Sequence, residues 1–93
     1  MKKQILLKVK IRNREKILLE EEVKAITSVN NKGVFDILPE HCNFISLIKD
    51  RITIYLPDRR KETFRVSSGI LSVIRNQVDV FLDISNLIKE QLF

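Results

Sequence analysis

Ile5-Leu6-Leu7-Lys8-Val9-Lys10-Ile11 is the stretch on which the fold turns. Ile5, Leu7, Val9 and Ile11 fall on one side of an extended chain, and Leu6, Lys8 and Lys10 on the other. A period of two predicts a half-buried strand. Lys8 and Lys10 also break the apolar run too early for a signal-peptide core. No stretch reaches the roughly 20 apolar residues of a membrane helix, so the chain is expected to be soluble and cytosolic.

The same period recurs downstream. Ile17-Leu18-Leu19 leads through Glu20-Glu21-Glu22 to an alternating set, Val23, Ala25, Thr27 and Val29. That set stops at Asn30-Asn31-Lys32-Gly33, residues that tolerate positive φ and mark a turn. Ile52, Ile54 and Leu56 alternate with Thr53 and Tyr55, and Pro57-Asp58-Arg59-Arg60 then reverses the chain toward Phe64 and Val66, a hairpin. After Ser67-Ser68-Gly69 a second hairpin is expected, from Ile70, Leu71, Val73 and Ile74 through Asn76-Gln77 to Val78, Val80 and Leu82. Short strands at close spacing predict an all-β, antiparallel sandwich or barrel. The one helix expected is terminal, with Ser85 capping Asn86–Phe93, so the sequence divides into a sandwich at 1–84 and a short tail or helix at 85–93.

Ninety-three residues suffice for one compact domain with one core. The hydrophobic fraction of 44%, mostly Ile, Leu and Val, argues against disorder. A net charge of +5, from 17 Lys and Arg against 12 Asp and Glu, favours an anionic partner without choosing one. The single Cys, Cys42, can form no internal disulfide and belongs to no recognisable metal-ligand set.

Gly33-Val34-Phe35-Asp36-Ile37-Leu38-Pro39-Glu40-His41 is the most unusual segment, because the sole His lies beside the sole Cys. A Cys-His nucleophilic pair is one reading. Neighbours in an extended segment point to opposite faces, so thiol and base are not expected to meet. As a metal site, His41 has only Asp36 and Glu40 to call on, without a characteristic spacing; a structural or interface His is the simpler reading. Two glycines 36 positions apart make no phosphate-binding loop. Arg59, Arg60, Lys61 and Arg65, with Tyr55 and Phe64, offer an alternative function: a small basic β-barrel binding single-stranded nucleic acid. Hairpin tips are also charged simply because they face water.

The run from Gly33 to Leu47 resembles a signature of the N-terminal domain of the epsilon subunit of F-type ATP synthases, called delta in mitochondria. That signature has the form G-x-(aromatic or aliphatic)-G-I-L-P-G-H-A-P, and Gly33, Ile37, Leu38, Pro39 and His41 match it. Val66-Ser67-Ser68-Gly69-Ile70-Leu71-Ser72-Val73 is similar to the family's V-S-G-G-x-L-E-V strand. Val78–Asp83 is similar to its closing strand. The likeness covers about nine-tenths of the chain. Asp36 and Glu40 stand where the family has glycine, Cys42-Asn43 replaces Ala-Pro, Ser68 replaces the first of two paired glycines, and Lys49-Asp50-Arg51 stands at a usual Pro-Gly.

The resemblance implies a β-sandwich without cofactor or catalytic residue, a rotor subunit of a proton- or sodium-translocating synthase. Its implied partners are the gamma subunit, through an exposed apolar sheet face or edge, and the polar loops of the c-ring. Nucleic acid is not among them, and no obligate homo-oligomer is expected. Val34, Phe35, Glu40, His41, Cys42 and Asn43 are the implied ring-side residues. The implied location is peripheral, on the cytoplasmic face of the plasma membrane. Residues 84 to 93 are too few for the helical hairpin that follows this domain in many relatives, so that arm is expected to be missing unless the chain was truncated.

Overall fold

A computed structural model describes residues 4–82. Seven strands follow one another: β1 (Leu7–Arg12), β2 (Ile17–Val23), β3 (Ala25–Asn30), β4 (Gly33–Ile37), β5 (Phe44–Tyr55), β6 (Lys61–Ile74) and β7 (Gln77–Leu82). The helix expected from residue 85 lies outside the described residues, as does Asp83. The all-β sandwich is what the structure shows.

All seven strands are hydrogen-bonded in the order β2-β1-β7-β6-β5-β3-β4. This ribbon makes two layers because β5 and β6 belong to both. Between the pairs Ile48↔Gly69 and Asp50↔Val66, Lys49 of β5 faces two residues of β6, Ser67 and Ser68. An extra residue on one strand is a β-bulge, which bends and twists the ladder locally. Asp50 next to it has φ 69°. On one side of this bend lie β2, β1, β7, Gly69–Ile74 and Phe44–Ile48; on the other lie β4, β3, Ile52–Tyr55 and Lys61–Val66. Strands that pass between layers through a bulge are a known way of building sandwiches.

One core joins the layers. Leu7, Val9, Ile11, Leu71, Val73, Val78 and Val80 from the first cluster with Ile26, Ile37, Ile52 and Ile54 from the second, all at 1% exposure or less. At about 25 cal/mol per Å² of buried apolar surface, such a cluster is the main term holding a domain of this size together. Buried Ser28 is satisfied, donating to the Arg51 carbonyl at 2.8 Å.

Gly69 sits where the fold leaves no room for a side chain. A Cβ there would lie 2.9 Å from the Phe81 carbonyl oxygen and 3.1 Å from Leu82 Cδ2. The β6–β7 turn has only two residues, Arg75 and Asn76, at φ 50° and 64°. Positive φ at both is the type I′ geometry that matches strand twist in a tight hairpin.

Three details differ from the pattern read along the chain. The expected alternation from Val23 to Val29 crosses a strand break at Lys24, whose amide donates to the Tyr55 carbonyl at 2.8 Å. On β3 the fully buried residues are therefore Ile26 and Ser28, not Ala25 and Thr27. Ser67-Ser68-Gly69 does not separate two strands but is the bulge inside one strand of 14 residues. Finally, β1 pairs with β7 in parallel, the one parallel ladder among antiparallel ones in the described residues, which the long path between them permits.

Candidate functional site

Two surfaces stand out, one irregular end and one sheet face. The end is the β4–β5 connection, Leu38–Asn43. The His41 amide donates to the Leu38 carbonyl at 3.1 Å, with Pro39 second in the turn and Glu40 third at φ 71°. Pro followed by a positive φ is the signature of a type II turn, which ordinarily takes glycine at that third position. Glu40 therefore holds a backbone shape that costs an L-residue roughly 1–2 kcal/mol.

What holds the loop is the β6–β7 turn. The Glu40 amide donates to Asn76 Oδ1 at 2.6 Å, and the Arg75 amide donates to Asn43 Oδ1 at 3.3 Å. Each asparagine thus satisfies a backbone donor of the other loop. Beneath, the His41 ring meets Phe44 edge-on at 5.5 Å, and Phe44 meets Phe35 at 5.6 Å.

The structure brings Glu40, His41, Cys42 and Asn43 together, with Phe35 below them through Phe44. Phe35 is half-buried and packs against the core, while Val34, 62% exposed, points to the other side of β4. Leu38, 57% exposed, lies in the same loop. Asn76 reads in the sequence only as part of a turn; its partner is 36 positions away, and no local pattern carries that information.

The expectation that His41 and Cys42 stay apart requires correction. The segment is a turn, not a strand, and Cys42 Sγ stands 4.0 Å from His41 Nδ1. The same Nδ1 lies 2.8 Å from the Cys42 carbonyl oxygen. A carbonyl only accepts, so that contact places the proton on Nδ1 and leaves it no lone pair for the thiol. No group of three or more His, Cys, Asp or Glu suited to a metal occurs among the described residues.

The face is the outer side of the first layer. Leu47, Ile70, Phe81, Arg12 and Ile17 are direct partners on five successive strands, β5, β6, β7, β1 and β2. Leu47 is 69%, Ile70 45%, Phe81 39% and Ile17 50% exposed. The Arg12 guanidinium lies 5.8 Å from the Phe81 ring centroid. Ile45 and Ile74 extend the patch. Contiguous apolar residues left in water on one sheet face mark an interaction surface.

The nucleic-acid platform loses one of its aromatic rings. Tyr55 lies on the outer face of the second layer, but Phe64 packs inward against the core. That pair of rings is not presented for stacking bases.

The profile of the ATP synthase delta/epsilon chain β-sandwich domain matches residues 6–85. The chain belongs to the ATP synthase delta/epsilon family.

Among its relatives in that family, the ATP synthase epsilon chain of Nitratiruptor sp. is 33% identical over 78 residues, 83% of this chain and 60% of that protein. The epsilon chain of Rickettsia africae is 33% identical over 75 residues, 77% of this chain and 67% of that one. This delta/epsilon chain thus spans three-fifths of the Nitratiruptor relative's length. In fold it is similar to a chain of the Euglena gracilis mitochondrial ATP synthase, solved as an OSCP, F1 and c-ring assembly. The TM-score is 0.80 at 19% identity, covering 94% of this chain and 62% of the other. A chain from the central stalk and c-ring of the Tetrahymena thermophila synthase gives 0.72 at 18% identity, with 89% and 66% covered. Glu40 holds this delta/epsilon chain's turn in a left-handed shape.

Proposed function

We propose that this domain is a non-catalytic rotor subunit of an ion-translocating F-type ATP synthase, coupling the gamma subunit to the membrane c-ring. The observation that carries this reading is the apolar row Leu47, Ile70, Phe81 and Ile17, uncovered across one sheet face of a member of the delta/epsilon family. A stable protein contact needs a desolvated apolar centre with an aromatic or Arg anchor. Phe81, with Arg12 beside it, supplies one for gamma.

The Leu38–Asn43 end, with Glu40, His41, Cys42 and Asn43, is then the surface offered to the polar loops of the ring. Its cross-ties to Arg75 and Asn76 hold it in one shape, as a contact that bears load requires. A close-packed interior deforms little, so force applied at one surface reaches the other without chemistry in between. No helix among the described residues is long and apolar enough to cross a membrane. Attachment through the complex, on the cytoplasmic side of the plasma membrane, accords with that.

Reconstitution of the intact chain with gamma and the c-ring of its own synthase tests the assignment. Phe81→Ser is expected to weaken gamma binding by about tenfold or more, and Glu40→Lys to lower ring association while gamma binding persists. Circular dichroism should show both variants folded. Normal assembly of both into coupled enzyme would falsify this placement.

A further inference from the structure

Arg51 of β5 and Arg65 of β6 are direct cross-strand partners on the outer face of the second layer. Both are exposed, and neither makes an ion pair with a carboxylate among the described residues, where the pairs are Lys10–Glu20 and Arg60–Asp58. Like charges directly opposite one another in a sheet are destabilising. With Asp50 and Thr63, the two arginines line an open concavity of about 510 Å³.

Charged residues on an edge strand are a common guard against unwanted pairing. Among the described residues Lys61–Val66 is such an edge, because β7 joins β6 only from Gly69 onward. That accounts for Lys61 and Arg65. It does not account for Arg51, which lies one strand in, on a β5 segment flanked by both β3 and β6.

We propose that the Arg51–Arg65 pair is a recognition site for a carboxylate, and that its partner is an acidic segment of another protein. Two guanidinium forks facing one concavity suit an oxyanion held by charge-assisted hydrogen bonds; Thr63 beside them is hydrogen-bonded to the Thr53 hydroxyl at 3.0 Å. The lining carries two positive charges and one negative, from Asp50. A net charge of +1 matches a singly charged Asp or Glu side chain and is overfilled by a doubly charged phosphate. The site lies on the other layer from the apolar row and shares no residue with the Leu38–Asn43 loop, so its test is separate from those of the gamma and ring contacts.

Titration of the intact chain with a short polyglutamate peptide, followed by calorimetry at low salt, tests this. Arg51→Gln with Arg65→Gln should weaken binding by about tenfold. The charge-matched control, Arg59→Gln with Lys61→Gln, should keep most of it. Arg51→Glu should abolish binding and raise the unfolding temperature, because the introduced carboxylate then pairs with Arg65. Equal losses in the two double variants, no gain in stability for Arg51→Glu, or tighter binding of inorganic phosphate or a single-stranded oligonucleotide than of polyglutamate would each overturn the proposal.

Discussion

The backbone amide of Glu40 donates to the side-chain oxygen of Asn76 at 2.6 Å, tying the β4–β5 loop to the β6–β7 turn. Asn76→Gly keeps the positive φ that its turn needs and removes only the acceptor. Loss of one such bond costs about 1 kcal/mol. Amide hydrogen exchange should therefore quicken at Glu40 and His41, with little change at Val78 and Val80; unchanged exchange in the loop would contradict the tie.

Glu40 itself occupies a left-handed position at φ 71°. Glu40→Gly should raise stability by about 1 kcal/mol, since glycine adopts that conformation without the Cβ penalty. Urea unfolding reads this directly, as a higher midpoint at unchanged slope.

Gly69→Ala should do the reverse. Its new methyl would press against the Phe81 carbonyl oxygen at 2.9 Å and Ile48 Cγ1 at 3.3 Å, and overpacking of this kind costs about 1–3 kcal/mol. The thermal midpoint should fall, and Ser68→Ala, at the exposed neighbouring position, should lower it much less.

Asp58 gives the β5–β6 turn an acid dependence. The Arg60 backbone amide, and then its side chain, hold the Asp58 carboxyl below its ordinary value of 3.8. A carboxylate depressed in the folded state contributes stability above its unfolded pKa, and loses it as pH falls through the folded value. Asp58→Asn should thus be less stable than the parent above pH 3.8, with the gap closing at lower pH. A gap that widens on acidification would refute the sign.

The strands were legible because their signals are local. Alternation at Leu7, Val9 and Ile11, glycine and asparagine at 30–33, and proline at 57 each act within a few residues. What stayed hidden depends on distant partners. Ser67-Ser68-Gly69 has the composition of a turn, and only the opposing Lys49 makes it a bulge. Ile26 does not read as an inward residue because the strand break at Lys24 resets the parity. In the same way, Arg51 and Arg65 are 14 positions apart in sequence, and only strand register sets them face to face.

The bulge that lets β5 and β6 serve both layers also determines how the molecule would come apart. No cut between the two sheets avoids the main chain of these strands, so a sideways pull is carried as tension along two covalent backbones instead of as slippage between oily surfaces. Melting one half strips the other of the core it packs against and frays the two strands they share, which makes unzipping in stages costly and a single all-or-none transition the natural outcome.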